Sequence, residues 1–282
     1  MKRCKFAFLA LFAIMFASCP SGSNFDLLWP KKGGNPTDGS DAQNEADFGA
    51  GATIDGIFTV YNEATWNTAR AAITINGNYI INITADFFVT ESPGYTFGTT
   101  TSGIKVSIRG RSQTISCSYT SSSALLRITT DQKVILRNLT LKEHDGNLPY
   151  MVTIVNNSEL VMESGAKITG GGGVAVAGTF TMNDGTISGN TSGGQGGGVR
   201  VSNNISSIFR IVTGTVCGSN EANAALRNTA ATGAALYKRG SSTAQNGTFS
   251  GSTWNGTDLP SSVDGANSYN NNTIRVVNGV LQ

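Results

Sequence analysis

The chain has 282 residues, of which 35 are Gly and only 13% are charged, and its 20 Lys and Arg against 18 Asp and Glu give a net charge of +2. This charge is too small to indicate nucleic acid as a partner, and a hydrophobic content of 39% excludes disorder throughout. The 4 cysteines show neither CxxC nor zinc-finger spacing, which excludes a disulfide framework and a cysteine-based zinc site.

Residues 1–18 have the pattern of a bacterial export signal. Three basic residues precede the apolar run Phe6–Phe16, which is far shorter than the ~20 residues that span a bilayer as a helix. In one interpretation an ordinary signal peptide is cut near Ser18. The other, favoured here, is that Phe16-Ala17-Ser18-Cys19 resembles a lipobox, with Phe in place of the usual Leu, and that Cys19 is the lipidation site.

A lipidated Cys19 would place the protein in the bacterial cell envelope. Because each buried CH₂ contributes ~0.8 kcal/mol, two or more acyl chains anchor a protein stably. The sequence therefore predicts an exported, lipid-anchored protein of the outer membrane or cell surface. Residues 19–52 are rich in Pro and Gly, and their acids, Asp47 among them, are not in the order of an EF-hand loop. This segment predicts a flexible, solvated tether.

Residues 62–72 predict one short helix at the start of the folded domain. Asn62 can act as the N-cap, and Glu63 lies in the positive first turn. Trp66 and Ala69 fall on one face. We expect this helix to cap a stack of strands, which would otherwise expose an open edge.

Short alternating apolar stretches follow and repeat at regular intervals. The first apolar residues of the leading strands lie 22, 26, 22 and 25 residues apart, at Ile104, Leu126, Val152, Val174 and Val199. Leu236 comes 37 residues after Val199, which predicts an excursion within Asn220–Gly233. A Gly-Thr-apolar-x-Gly step also recurs, at Gly185–Gly189, Gly214–Gly218 and Gly247–Gly251.

Units of this length cannot bury an apolar face alone, but stacked units can. The pattern predicts an all-β fold over residues 53–282, a single-stranded right-handed parallel β-helix with residues 273–282 as its last strand or cap. Inward residues should then lie over their own kind: Val174 over Val199, Phe180 over Phe209, and Ile187 over Val216. A β-sandwich is the alternative, although it would not require the repeated glycine step.

Several segments also resemble a known family, among them NEATWNTARAAI, SGIKVSIRG, GTFTMNDGTISGNTSGGQGGGV and IRVVNGVLQ. They are similar to repeat-rich β-helix lipoproteins of host-associated spirochaetes and other gut bacteria. The resemblance extends from about Thr59 to Gln282. It implies a pectin-lyase-like right-handed β-helix on the cell envelope with an adhesin-like role, and it implies no catalytic residues.

Many β-helices act on polysaccharides, so catalytic patterns matter. The motifs Asn-Thr-Asp, Asp-Asp and Gly-His-Gly of polygalacturonase-like enzymes are absent after Cys19. The single histidine, His144, stands between Glu143 and Asp145, and the segment is interpreted as an exposed turn rather than an acid–base cluster. No cofactor or metal motif is found, because the one dinucleotide-like glycine pattern leads into a strand instead of a helix.

Two smaller features leave alternatives open. Cys117 and Cys217 either form a bridge or are buried separately as small apolar residues, which is the favoured interpretation. Tyr237, Lys238 and Arg239 form either a small glycan-contacting patch or, as favoured here, a solvated corner.

Three functions remain in order of preference. The first is a non-catalytic, structural or adhesin-like module whose face of Thr, Asn and Ser side chains binds host protein or glycan. The second is a polysaccharide lyase or hydrolase with an unrecognised site near His144 or the Asn220–Gly233 excursion. The third is a passive envelope protein whose repeats serve antigenic variation.

Overall fold

The computed structural model describes residues 44, 47–90, 96–98, 102–118, 124–129, 131–144, 149–264 and 266–282. The predicted export signal, the predicted lipidation site Cys19 and most of the predicted tether lie outside these residues. The described part is a solenoid of about 5 turns made mostly of strands. It also contains the α-helix α1 (Glu63–Ala72), helical residues at Asn44, Asp47 and Phe48, and a short 3-10 helix at Ala224–Leu226.

The strands are β1 (Gly56–Val60), β2 (Gly77–Ile83), β3 (Phe87–Val89), β4 (Ile104–Cys117), β5 (Leu126–Ile128), β6 (Lys133–Glu143), β7 (Val152–Ile154), β8 (Glu159–Met162), β9 (Lys167–Thr169), β10 (Val174–Val176), β11 (Thr179–Met182), β12 (Thr186–Ser188), β13 (Val199–Val201), β14 (Ile208–Ile211), β15 (Gly214–Val216), β16 (Leu236–Lys238), β17 (Thr243–Ser250), β18 (Thr253–Asp258), β19 (Ser262–Asp264), β20 (Asn267–Asn270), β21 (Ile274–Val277) and β22 (Val280–Leu281).

Each central turn of the solenoid contributes three strands to two sheets. One strand joins a seven-stranded sheet in the order β19-β20-β16-β13-β10-β7-β5. The other two join a fifteen-stranded sheet, in which β8, β11, β14 and β17 form one row and β9, β12 and β15 form a second. Strand β6 belongs to both rows, because its first half pairs with β8 and its second half with β9. The core lies inside the three rows.

Equivalent side chains of successive turns lie on top of one another. Parallel pairing places Val174 beside Val199, Phe180 beside Phe209, and Ile187 beside Val216, which confirms these three predicted stacks. The two phenylalanine rings are stacked with centroids 5.1 Å apart and planes 28° apart. All six side chains are fully buried. Each therefore exchanges contact with water for contact with the matching residue of the next turn.

The predicted excursion after Val199 is also confirmed. Leu236 pairs with Val199 in parallel register, so the longer interval in sequence still spans a single turn. The extra residues leave the column after β15 and include the 3-10 helix. Solenoids accept insertions at such corners because the pairing of the flanking strands is unaffected.

One of the predicted markers is wrong. Ile104 begins β4 in the fifteen-stranded sheet, whereas Leu126 begins β5 in the seven-stranded sheet, so these two residues are not equivalent. Alternation of apolar residues identifies inward positions but does not say which face of the turn a strand occupies. Strand β4 is also much longer than the later strands, and it passes a corner at an irregularity between Arg109 and Gln113.

The last turn differs from the prediction as well. The third glycine step, Gly247–Gly251, does not stack on Gly214–Gly218. It lies at the end of the antiparallel hairpin of β17 and β18, where Phe249 is 43% exposed. Strand β21 instead pairs antiparallel with β15 and buries Ile274 and Val276. On this side β15 and β16 have antiparallel partners in place of a parallel one, so returning strands cover the edges of both sheets.

The predicted helix is confirmed with its N-cap. The Asn62 side chain accepts a hydrogen bond from the Thr65 amide at 2.9 Å, and the Thr65 hydroxyl accepts one from the Asn62 amide at 3.2 Å. Trp66 is fully buried, with ring centroids 6.3 Å from Phe87 and 6.5 Å from Phe97. The helix is thus fixed to the core by one large side chain.

Asp47 does not lie in a solvated tether, contrary to the prediction for residues 19–52. Its carboxylate is 1% exposed and accepts hydrogen bonds from Ser107 at 2.6 Å, Arg109 at 2.7 Å and Arg137 at 2.6 Å. Arg109 and Arg137 are paired residues of neighbouring strands. A carboxylate between them offsets the repulsion of two adjacent cations.

Burial raises the pKa of Asp47, but the hydrogen bonds from Ser107 and Arg137 and the charge of Arg109 outweigh it, so the pKa lies below its ordinary value of 3.8. Because the pKa is lower in the folded state, the ionised carboxylate stabilises the fold fully at pH values above 3.8. This contribution is lost as the pH falls through the lowered folded-state pKa.

The stacked core can be tested with Phe209→Ala. Removing one ring of the pair leaves a cavity between two turns, so we expect the free energy of unfolding to fall by about 3–5 kcal/mol. Ile205→Ala is the matched control, because Ile205 lies on the same turn and is 79% exposed; its effect should stay within about 0.5 kcal/mol. Urea denaturation followed by circular dichroism measures both. Equal losses in the two variants would contradict the stacking.

The carboxylate of Asp47 can be tested through the pH dependence of stability. In wild type, the free energy of unfolding should fall as the pH is lowered through 3.8 and then through the lowered folded-state pKa, partly because Asp47 becomes protonated. Asp47→Asn lacks this titration and should show a shallower fall over the same range, together with lower stability at neutral pH. Denaturation series at several pH values give the two slopes, and parallel curves would show that Asp47 does not stabilise the fold through its charge.

Candidate functional site

The outer face of the seven-stranded sheet carries one row of side chains set by the strand register. The paired positions outside the core are Arg127, Thr153, Ala175, Arg200 and Tyr237. Each lies at the middle of its strand, between two inward residues such as Val199 and Val201. The row therefore combines a cation, a small residue and an aromatic ring over neighbouring turns.

A groove of about 750 Å³ lies on this face. Arg200 forms part of its lining, together with three loop segments, Pro149–Tyr150, Thr191–Gln195 and Ala231–Thr232. The lining offers an aromatic ring, hydroxyl groups, one side-chain amide and one guanidinium group. It contains no carboxylate, and all of its residues belong to the described part of the chain.

Arg200 is held against Tyr150. One of its terminal nitrogens donates a hydrogen bond to the Tyr150 hydroxyl at 2.5 Å, and the guanidinium carbon lies 5.9 Å from the centre of the tyrosine ring. The Nε atom is buried and has no hydrogen-bond partner among the described residues. In the same part of the chain, the ion pairs involve other cations and none includes Arg200. The charge of Arg200 is thus fixed in place without a neighbouring carboxylate.

The two loop walls are joined to each other by backbone pairing. Thr191 bridges to Thr229, and Gln195 bridges to Thr232, in both cases parallel. The Ala231 amide also donates to the Gly194 carbonyl at 2.9 Å. The excursion after β15 therefore supplies one wall and supports the other.

Two buried asparagines fix the base of these walls. The Asn228 side-chain oxygen accepts a hydrogen bond from the Asn190 amide at 2.9 Å, and its NH₂ group donates to the carbonyls of Ile187 at 3.0 Å and Cys217 at 2.6 Å. Both side chains are fully buried. These bonds fix the point at which the excursion returns to the column, because a buried side-chain amide is stable only when its polar atoms have partners.

The groove also contains open space beside its glycines. A Cβ atom added at Gly193 or Gly194 would meet nothing within 4 Å, and neither residue has a positive φ angle. Gly196, at the end of the loop, has φ +71° and close contacts to Arg200, so this position requires glycine. The wall can therefore accept a larger side chain at Gly194 but not at Gly196.

The residues that the sequence predicts as sites lie in different parts of the structure. Cys19 and Asp145 lie outside the described residues. His144 is exposed and its ring lies 6.0 Å from that of Phe88, whereas Glu143 is buried. The two neighbours thus lie in opposite environments, and neither lines the groove. The Asn220–Gly233 excursion, in contrast, contributes Ala231 and Thr232 to it.

The segment Tyr237–Arg239 is not a uniformly solvated corner. Tyr237 is buried, and the Lys238 ammonium donates to the Ser242 carbonyl at 2.9 Å, so only Arg239 is fully exposed. Cys117 and Cys217 are both buried and do not form a bridge with each other, in agreement with the favoured interpretation. Burial raises the pKa of the Cys217 thiol to about 11, which leaves it protonated at neutral pH.

Sequence reasoning missed Arg200 and Tyr150 as a pair. The position of Arg200 between Val199 and Val201 indicates an outward side chain, and the glycine-rich loop before it indicates a close approach of backbone. Tyr150 belongs to a loop 50 residues earlier, and nothing in the local sequence shows that this loop lies beside Arg200.

Comparison of the chain with protein-family models, with curated proteins and with solved structures found no match. The resemblance to envelope lipoproteins therefore stays a prediction. No helix among the described residues is long and apolar enough to cross a membrane. The same residues contain no group of three or more His, Cys, Asp or Glu side chains that could hold a metal ion.

Proposed function

We propose that this chain is a lipid-anchored, right-handed parallel β-helix of the bacterial cell envelope, with an N-terminal capping helix, that binds a glycan without catalysing its cleavage. The observation that carries the proposal is the groove on the seven-stranded sheet, where Arg200 and Tyr150 lie between two polar loop walls. The proposal places the ligand in this groove, whereas the sequence predicts binding along a broader face of Thr, Asn and Ser side chains.

The chemistry of the groove favours a sugar over an apolar ligand. Thr191, Ser192, Gln195 and Thr232 provide both hydrogen-bond donors and acceptors, as a chain of hydroxyl groups requires. The Tyr150 ring adds an apolar surface with a polar end, which is the combination that the faces and hydroxyls of a sugar ring present. A groove along an outer sheet face also suits an extended polymer better than a compact small molecule.

A binding role is supported by the charges in the groove. Glycoside hydrolases use two carboxylic acids about 5–10 Å apart across the scissile bond. The lining of this groove has a guanidinium group and no acid. His144 and Glu143 do not reach it, so the polysaccharide-active alternative has no pair of groups at the place where a glycan would lie.

Filling the groove should abolish binding. In Gly194→Tyr, the new ring enters open space without disturbing the backbone, so we expect an unchanged melting curve. The variant should no longer bind the glycans that the wild-type full chain binds on a glycan and extracellular-matrix array. Ala222→Tyr is the matched control, because Ala222 is exposed on the excursion and does not line the groove. Retention by both variants would place binding elsewhere.

The same preparations distinguish the other two functions. Release of reducing ends or of unsaturated product from a retained polysaccharide would contradict the non-catalytic proposal and favour a lyase or hydrolase. If the wild-type protein binds neither the glycans nor the matrix proteins of the array, a passive envelope role is favoured.

Lipidation at Cys19 is tested by metabolic labelling with a palmitate analogue. We expect label on wild-type protein and none on Cys19→Ala, because the thiol that would accept the lipid is removed. Cys4→Ala is the control, since Cys4 lies inside the predicted export signal and its loss should leave the label unchanged. Equal labelling of wild type and Cys19→Ala would refute the anchor.

A further inference from the structure

Three buried or half-buried arginines of the solenoid, Arg109, Arg137 and Arg210, have neighbours that differ from those of Arg200, the arginine of the groove. Arg109 and Arg137 share the carboxylate of Asp47, and Arg137 also lies 3.9 Å from Glu163. Arg210 lies over two rings, 5.9 Å from Phe249 and 5.4 Å from Trp254. Arg200 has one ring and one neutral hydroxyl group beside it.

From this contrast we propose that the groove selects glycans that carry carboxylate groups, with Arg200 as the residue that binds the anion and Tyr150 as the residue that positions it. The inference rests on the proposed function, since it assigns a chemical class to the ligand of the same groove.

The first argument is electrostatic. A guanidinium group that is partly removed from water attracts an anion more strongly than a fully hydrated one does, because the effective dielectric constant around it is lower. The lining of the groove provides no carboxylate to cancel this charge. A ligand carboxylate would therefore form an ion pair with Arg200, whereas a neutral sugar would leave its charge without a counter-ion.

The second argument is geometric. The planar guanidinium group presents several N–H donors, and a carboxylate can accept two of them side by side. Tyr150 occupies one direction through its hydroxyl group and lies near the guanidinium carbon with its ring. This contact limits the rotation of a long side chain, so less conformational entropy is lost when a ligand binds.

The third argument concerns the rest of the lining. Thr191, Ser192, Gln195 and Thr232 have hydroxyl and amide groups on both sides of Arg200. These neutral groups suit the hydroxyls of the sugar rings that carry the acid. A free inorganic anion would leave them without ligand partners, so a sugar acid uses the groove more completely.

The test uses the full chain and a hyaluronan hexasaccharide, which carries carboxylates and no sulfate. Its methyl ester removes the charge while keeping the sugar, and a sulfated dextran oligomer of similar length replaces the carboxylate by another anion. Isothermal titration at fixed salt should show binding of the acid about 10-fold tighter than of its ester.

Three variants separate the role of Arg200 from general charge. Arg200→Gln should weaken binding of the acid by about 10- to 100-fold and remove the difference between acid and ester. Arg200→Lys should retain part of the preference, because it keeps the charge and loses the fork of donors. Arg111→Gln is the matched control: Arg111 is exposed on the fifteen-stranded sheet, and its loss changes the net charge equally.

Tyr150→Phe keeps the ring and removes the hydroxyl group that accepts from Arg200. We expect a smaller loss, with the preference for the acid reduced but present, because the guanidinium group is less well oriented. A circular-dichroism melt of each variant identifies misfolding, and Arg200→Lys and Tyr150→Phe decide the question if Arg200→Gln does not fold.

Each contrary result has a distinct meaning. Equal binding of acid and ester, with both lost in Gly194→Tyr, would overturn the charge inference and leave the glycan-binding groove intact. Tighter binding of sulfated dextran than of the hexasaccharide would replace carboxylate by sulfate as the recognised group. Equal losses in Arg200→Gln and Arg111→Gln would reduce the effect to bulk electrostatics. Failure of all three probes to bind would overturn the inference about carboxylates, whereas the proposed function is decided separately by the glycan array.

Discussion

In-register parallel pairing between successive turns is the constraint on which this structure depends. Each backbone donor and acceptor of a central turn finds its partner in the turn beside it, so equivalent residues are forced to lie together. Inside the column this produces stacks such as Phe180 with Phe209. On the outside of the column, the same pairing produces fixed rows of side chains, and Arg200 belongs to one of these rows. A slip of one residue would move every inward side chain to the outer face, so core and surface are determined by the same register.

Register is also the part of the fold that the sequence reveals best. The repeated strands and glycine steps align Val174 with Val199 and Ile187 with Val216 without any knowledge of the fold, and the same alignment extends to Leu236 across an insertion. The alignment fails where turns stop being equivalent. Ile104 belongs to a long strand that passes a corner, and Gly247–Gly251 lies in an antiparallel hairpin instead of a parallel turn. Local periodicity contains no information about either condition.

The groove is only partly visible in the sequence, for a related reason. The outward direction of Arg200 follows from the two valines beside it, but its partner Tyr150 and the wall at Ala231–Thr232 come from loops whose paths depend on tertiary contacts. Asp47 shows the same limit. Its surroundings in sequence are typical of a solvated tether, yet two arginines from neighbouring strands bury its carboxylate. The sequence shows that a residue is charged, but it does not show which residue pairs with it when that pairing depends on strand register.

The position of the groove is explained by the tolerance of a solenoid for insertions. The excursion between β15 and β16 leaves the pairing of Val199 with Leu236 intact, so β13 and β16 keep their parallel register on either side of it. The inserted residues then stand beside the sheet and become a wall, and Asn228 fixes their return to the column. Stability and recognition are thus divided between different residues: stacked side chains maintain the column, while inserted residues and one outward arginine define the surface. Under the proposed function, substitutions within the walls would change the ligand without affecting the register, as long as glycine is kept at Gly196 and the buried amides of Asn190 and Asn228 are preserved.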